Sequence, residues 1–111
     1  MLKVRTEGEA YKISFFKTSR VNTLIAGAIR EELIQYVSIP GKEVILSMEG
    51  INFIDSSGFE AIISVVDIAN KHKSKFRISD VSQEVYELLK LKKLKIFFEI
   101  NTAWSEVFSG V

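Results

Sequence analysis

The segment of the chain best suited to chemistry is residues 53–60, Phe-Ile-Asp-Ser-Ser-Gly-Phe-Glu, at the predicted start of a helix. Ser57 and Glu60 have the spacing of a capping box, in which the serine hydroxyl accepts a hydrogen bond from the third helical amide and the glutamate reaches back. We therefore expect Ser57 to cap the helix. The Ser56 hydroxyl would then lie just outside the helix, accessible to solvent or to a partner.

The predicted place of Ser56 favours a negative charge. Unpaired backbone amides and the positive end of the helix dipole lie at a helix N-terminus, where they stabilise an anion, including a phosphate attached to Ser56 itself. Asp55 could orient the hydroxyl or help a partner enzyme to remove its proton, and Gly58 would leave room for close approach. Local physics alone favours a simpler interpretation, in which Asp55, Ser56 and Ser57 only start a helix.

An enzymatic use of these hydroxyls is disfavoured. A nucleophile elbow requires Gly-x-Ser-x-Gly, but residue 54 is Ile. The single histidine, His72, is expected several helical turns away at the other end of the same helix, where it would be an exposed helix-end residue. Without cysteine or a second histidine, the chain has no pattern for a metal site. We expect no cofactor and no metal, and a serine hydrolase is the weakest of the alternatives.

The composition of the chain bounds its size and its partners. A length of 111 residues, with 47% hydrophobic and 26% charged residues, is typical of one globular domain, predicted to span residues 1–111. Lys and Arg number 15 against 14 Asp and Glu, a net charge of +1. Such a balance gives no general attraction to nucleic acid or anionic lipid, so we expect neither as a direct partner.

Neither a targeting segment nor a membrane-spanning segment is predicted. The first five residues, Met-Leu-Lys-Val-Arg, carry charges where a signal peptide has an apolar stretch. The strongest apolar run, residues 61–66, is interrupted by Ser64 and is too short to span a bilayer. We expect a cytoplasmic protein without membrane insertion. Its oligomeric state is expected to be a monomer or a weak dimer.

Hydrophobic periodicity predicts alternating strands and helices. Strands are predicted over 2–6, 10–16, 43–48, 75–79 and 95–100, and helices over 23–37, 57–71, 81–90 and 102–109. Asn22 or Thr23 can cap the first helix. The order ββαβαβαβα, with parallel crossovers after residue 43 and an antiparallel edge from the first two strands, predicts a small α/β sandwich with a mixed β-sheet.

Two surface features have open interpretations. The helix predicted over 57–71 has a second face opposite the core face, which carries Ala61, Ser64, Val65, Ile68 and His72. This face is either an exposed partner site or the contact with a neighbouring helix. Basic residues cluster within 71–75 and 90–95. Lysines near helix ends are usually solvated, although these could also meet an acidic partner.

Residues 54–59, Ile-Asp-Ser-Ser-Gly-Phe, resemble the Asp-Ser-Ser/Thr-Gly-Leu signature of STAS domains, as in bacterial anti-sigma factor antagonists. The resemblance extends to the first helix (residues 24–33), the central strand (43–48) and the segment 81–97. It implies a non-enzymatic switch in which a serine kinase that is also an anti-sigma factor phosphorylates Ser56. The unphosphorylated domain would bind this kinase and free the sigma factor. The phosphorylated domain would be released, and a phosphatase would reset it.

The resemblance also places the predicted contacts on this chain. The phosphorylation site is Ser56, with Ser57 as second choice. The predicted partner-binding residues are Asn22, Asp55, Ser57, Gly58, Glu60, Ala61 and Ser64. Asn22 stands where many members carry an aspartate, and Glu60 where a small residue is frequent. The alternative is a constitutive STAS subunit of a larger assembly, such as a stressosome or a lipid-transporter accessory component, in which Ser56 need not be modified.

Overall fold

The computed structural model describes residues 1–89, in which strands and helices alternate. The strands are β1 (Leu2–Glu7), β2 (Ala10–Phe15), β3 (Arg20–Val21), β4 (Glu43–Ser47), β5 (Phe53–Ile54) and β6 (Lys75–Ser79). The helices are α1 (Thr23–Val37), α2 (Ser56–Lys71) and α3 (Gln83–Leu89). Residues 1–89 thus contain a mixed α/β arrangement with three helices.

Four of the strands form one mixed sheet in the order β1-β2-β4-β6. A hairpin turn joins β1 to β2 in antiparallel pairing, with Gly8 at φ 59°, a left-handed conformation that glycine adopts at low cost. β4 lies between β2 and β6 and is parallel to both. The predicted antiparallel edge and parallel crossovers are therefore both present.

The apolar sides of α1 and α2 pack against one face of this sheet. In α1, Ile29, Leu33 and Val37 recur every four residues and are almost completely buried. They meet alternate residues of the central strand, Val44 and Leu46, which are also fully buried. Burial of each such side chain contributes about 1.5–3 kcal/mol, so this layer stabilises the relative positions of the helices and the sheet.

A second, two-stranded sheet is the element that positions the candidate site. β3 and β5 pair in parallel, with Arg20 opposite Phe53 and Val21 opposite Ile54. Neither strand is predicted from the sequence, since two residues are too few to show a periodic pattern. The pairing brings the start of α1 next to the start of α2, because each helix follows one of the two strands.

The other predicted elements agree with the structure within a few residues. α1 and β6 have the predicted bounds, α2 begins one residue earlier than predicted, and α3 begins two residues later. The predicted strand at 95–100 and helix at 102–109 lie outside the described residues. Differences of this size at element ends are common, because helix termini fray and depend on capping.

Candidate docking site at the tips of α1 and α2

One carboxylate, that of Asp55, joins the N-termini of two helices. Asp55 is the N-cap of α2, and its Oδ1 accepts a hydrogen bond from the Gly58 amide at 2.9 Å. Its Oδ2 accepts from the backbone amide of Thr23 at 3.0 Å and from the Thr23 hydroxyl at 3.3 Å. Thr23 is the first residue of α1, so Asp55 satisfies unpaired amides at both helix starts.

The hydroxyl of Ser57 completes this cluster. Its Oγ lies 3.0 Å from Thr23 Oγ1. Because the Thr23 hydroxyl has one proton and directs it to Asp55, Ser57 is the donor in the contact with Thr23. Ser57 is half-buried, whereas Ser56, the first residue of α2, is exposed.

These contacts lower the pKa of the Asp55 carboxyl group. The hydrogen bond from the Gly58 amide is the largest cause of a pKa of Asp55 below its usual value, and partial desolvation opposes it. The amide and hydroxyl of Thr23 lower the pKa further. The surface beside Ser56 therefore carries a fixed negative charge at neutral pH.

The predicted capping box is wrong, because Asp55 and not Ser57 caps α2. Both side chains offer an acceptor near the start of the helix, but only Asp55 has a second oxygen that binds Thr23 as well. Ser57 becomes the second helical residue, and Glu60 is an exposed residue one turn into α2. Ser56, predicted to lie just outside the helix, is instead its first residue, but it is exposed at the amino-terminal tip as expected.

Gly58 contributes to the site from inside the protein and does not lie on its surface. It is buried, and a Cβ atom at this position would lie 2.5 Å from the carbonyl oxygen of Val21 and 2.8 Å from Val21 Cγ1. The missing side chain of Gly58 lets β3 approach α2 closely. The prediction that Gly58 is a surface contact for a partner is wrong, because the residue is buried. Thr23 follows Val21 by two residues and bonds Asp55 beside this close approach.

A groove separates α1 from α2 beside this cluster, and we call it the α1–α2 groove. Its volume is ≈ 340 Å³, and it is lined by Thr23, Ala26, Gly27, Arg30, Ser57, Glu60, Ala61 and Ser64. Arg30 Nε donates to Ser64 Oγ at 2.7 Å. The pairs Thr23–Ser57 and Arg30–Ser64 are seven residues apart on each helix, so α1 and α2 run side by side in the same direction.

The second face of α2 is largely covered. Val65 is fully buried and Ala61 is 7% exposed, since α1 packs against this face. Of the two interpretations of this second face, contact with a neighbouring helix is therefore correct for Ala61 and Val65. Ala61 lines the groove at its inner side, whereas Ser57, Glu60 and Ser64 bring polar groups to it.

Sequence reasoning assigned Asn22 to partner contact but did not assign Thr23, Leu24 or Gly27. Asn22 caps α1, and its side-chain oxygen accepts from the Leu24 amide at 3.0 Å. Thr23 had been considered only as an alternative cap. Leu24, next to Thr23, is 89% exposed although it is a large apolar residue. Leu24 shares an exposed face of α1 with Gly27, Ala28 and Glu31, whereas Ala26, Ile29 and Leu33 lie on the buried face; this helical spacing is the signal that separates it from the core residues.

Three further expectations concern metal binding, His72 and the membrane. No group of three or more His, Cys, Asp or Glu side chains within residues 1–89 is arranged to hold a metal ion. His72 ends α2 as an exposed C-cap residue. In the same part of the chain, no helix combines the length and the apolar character needed to cross a membrane. The basic cluster at 90–95 lies outside the described residues.

Solved structures with this fold include regulators and part of a transporter. A STAS domain anti-sigma-factor antagonist from Planctomyces limnophilus is 19% identical, over 86% of this chain and 85% of that chain, with a TM-score of 0.75. The anti-sigma factor antagonist SpoIIAA in its unphosphorylated form is 13% identical, over 82% and 83%, with a TM-score of 0.61. The murine solute carrier 26 family member A9 anion transporter is 15% identical and has a TM-score of 0.75; the match covers 96% of this chain but 17% of the transporter. These likenesses confirm the predicted fold.

The sequence itself identifies the family. None of the curated proteins matches the chain significantly in sequence. The family model described as the STAS domain, however, matches residues 12–109, which is most of the chain and includes the cluster around Asp55. The chain belongs to the STAS domain family.

Proposed function

We propose that this STAS domain is an anti-sigma factor antagonist, a protein-binding switch controlled by phosphorylation of Ser56. The observation that carries the proposal is the place of Ser56, exposed at the first position of α2 and directly after the ionised Asp55. The next residue, Ser57, lines the α1–α2 groove. A change of charge at Ser56 would therefore occur at the edge of a surface shaped to receive a partner.

Exposure favours Ser56 over Ser57 as the acceptor. A kinase must bring the hydroxyl to its own catalytic base and to ATP, which requires an accessible side chain. The Ser57 hydroxyl is half-buried and donates to Thr23, so its modification would break a contact between the two helices. Asp55 is engaged by Gly58 and Thr23, and its part is to hold the site and its charge in place.

A phosphate on Ser56 would change binding through charge. It adds about −1.5 to −2 units near the carboxylates of Asp55 and Glu60, the latter one helical turn along the same face. The helix dipole stabilises this charge in the free domain. In a complex, the same charge would be desolvated and would repel acidic groups of the partner. The phosphorylated domain would therefore be released.

The α1–α2 groove supports docking of a partner protein at this site. Gly27 lies in the second turn of α1, is exposed, and would meet nothing within 4 Å if it carried a Cβ atom. Glycine inside a helix costs about 1 kcal/mol relative to alanine, and no internal contact of residues 1–89 requires it. Close approach of a partner beside Gly27 would account for that cost. Leu24, exposed one turn earlier, would supply an apolar contact at the edge of the same surface.

The partners follow from the family resemblance and from the name of one similar structure. A serine kinase that is also an anti-sigma factor would bind the unphosphorylated domain, and a phosphatase would restore it. SpoIIAA, an anti-sigma factor antagonist with the same fold, has been solved in an unphosphorylated form. The domain would act in the cytoplasm as a binding protein without an activity of its own.

The proposal is tested by incubation with the cognate serine kinase and ATP, followed by mass spectrometric mapping. Phosphate is expected on Ser56 in the wild type and in Ser57→Ala, and on neither residue in Ser56→Ala. The Ser57→Ala variant is the matched control, because it removes an adjacent hydroxyl in the same helical turn. Phosphate at another residue, or no incorporation, would contradict the proposed switch.

A constitutive role in a larger assembly is the second candidate. Its support is the likeness to a portion of the murine anion transporter, in which this fold is one part of a much longer chain. The partner would occupy the same groove, with Ser56 unmodified. Affinity capture separates the candidates. Recovery of a transporter or of a multi-subunit assembly, with the same yield for Ser56→Ala and wild type, favours the constitutive role, whereas recovery of a serine kinase favours the switch.

A further inference from the structure

A cleft lies on the face of the sheet turned away from α1 and α2. Side chains alternate along β2, so that Ile13 points into the core while Lys12 and Ser14 point to the opposite face. The cleft on that face has a volume of ≈ 450 Å³, within the range of small-molecule sites. None of the residues assigned to the docking site lines it.

One end of this cleft is cationic. Arg5 of β1 lies directly opposite Lys12 of β2, and Lys3 lies two residues from Arg5 on the same face. Like charges opposite each other in a sheet reduce stability. Arg5 is paired with Glu7 at 2.7 Å, and the Lys3 ammonium lies 4.3 Å from the centre of the Phe16 ring. Lys12 is half-buried and has no carboxylate partner among residues 1–89. Its ammonium group is therefore available to an anion from outside the described residues.

The other end of the cleft carries acceptors of hydrogen bonds. Asp80 Oδ2 accepts from the Ser47 hydroxyl at 2.8 Å and from the Ser79 hydroxyl at 3.0 Å. Ser47 is only 3% exposed, so this contact holds the Asp80 carboxylate in a defined position. Glu49, which is exposed, adds a second carboxylate. Carboxylates accept from hydroxyl or amino groups and repel a second phosphate.

We propose that this cleft binds a small phosphorylated polyhydroxy compound, with its phosphate against Lys3, Arg5 and Lys12 and its hydroxyl groups against Glu49 and Asp80. Three cations at one end suit the charge of a phosphate monoester, and the cleft is larger than a phosphate ion requires. The acidic end disfavours a nucleic acid, which carries phosphate along its whole length. This binding is independent of phosphorylation at Ser56, since the two sites lie on different faces of the protein.

The experiment uses the full chain and three probes, ribose 5-phosphate, ribose and inorganic phosphate, followed by NMR amide shifts and calorimetry. Ribose 5-phosphate is expected to shift amides of β1, β2 and residues 47–49, and to bind more tightly than either fragment. In Lys12→Met its affinity is expected to fall about tenfold or more, because a hydrogen bond to a charged group is lost. Lys71→Met, at an exposed position near the end of α2, is the matched control and should bind as the wild type does.

Stability distinguishes loss of binding from loss of folding. Removal of the charge opposite Arg5 relieves repulsion, so Lys12→Met is expected to have a Tm equal to or above that of the wild type. Ribose 5-phosphate should raise the Tm of the wild type but not that of Lys12→Met. The absence of a shift with the wild type, equal binding by Lys12→Met, or perturbed amides only outside the cleft would each overturn the inference. Equal affinity for inorganic phosphate and ribose 5-phosphate would overturn the assignment of Glu49 and Asp80.

Discussion

The carboxylate of Asp55 accepts a hydrogen bond from the backbone amide of Thr23, 3.0 Å away, and thereby couples the first turns of α1 and α2. The short pairing of β3 with β5 makes this contact possible, and Gly58 leaves the space for it. The candidate phosphorylation site thus lies at a hydrogen-bonded junction of two helices and not on an independent loop. The stability of the domain and the geometry of the site both depend on the hydrogen bonds that the Asp55 carboxylate accepts from Thr23 and Gly58.

Replacement of Asp55 by alanine is expected to reduce the free energy of unfolding by about 2 kcal/mol or more, because α2 loses its N-cap and the Thr23 amide loses its acceptor. Urea unfolding measures the effect. Asp67→Ala, at an exposed position of the same helix, is the control, with an expected change within about 0.5 kcal/mol. Equal effects of the two substitutions would show that the Asp55 contacts contribute little.

The contribution of the Asp55 charge should depend on pH. The pKa of Asp55 is lower in the folded than in the unfolded protein, so below neutral pH the unfolded state takes up the proton first. The stabilisation is therefore complete above the unfolded pKa, about 4, and is lost as the pH falls through the folded pKa. Asp55→Asn keeps an acceptor and removes the charge. The difference in stability between wild type and Asp55→Asn should shrink from pH 7 towards about pH 2, as measured by urea unfolding. A constant difference over this range would contradict the assigned shift.

Gly58→Ala is expected to destabilise the domain by about 1–3 kcal/mol, although alanine is the better helix former. The added Cβ would lie 2.5 Å from a backbone oxygen of Val21, which cannot move without disturbing β3. Thermal unfolding of this variant, together with NMR shifts of the Thr23 and Asp55 amides, checks both the stability and the geometry. An unchanged or higher Tm would mean that β3 does not pack so closely on α2.

Gly27→Ala is expected to have the opposite effect on stability, a gain of about 0.5–1 kcal/mol, since nothing lies within 4 Å of the new Cβ position. The same substitution should weaken binding of the partner, because the methyl group enters the α1–α2 groove. Chemical unfolding and a partner-binding assay give the two readouts. A stabilised variant with undiminished binding would show that the partner does not approach α1 at this position.

The helices and the main sheet could be predicted from the sequence because each shows a hydrophobic period long enough to read. The contacts of the site could not, because they depend on tertiary neighbours. Asp55 and Ser57 satisfy similar local capping rules, and the choice between them is decided by Thr23, far away in sequence. The pairing that brings Thr23 there involves two residues in each strand, too few for a pattern. Gly58 was recognised as a point of close approach, but the sequence did not reveal that β3 is what approaches it.

The most direct test of the proposed switch is the affinity of the cognate anti-sigma kinase for the domain with and without phosphate on Ser56, measured by calorimetry at fixed salt. We expect the phosphorylated domain to bind at least about a hundredfold more weakly, equivalent to roughly 3 kcal/mol, with Ser56→Asp showing a smaller loss in the same direction. The same affinity in both states would contradict the account.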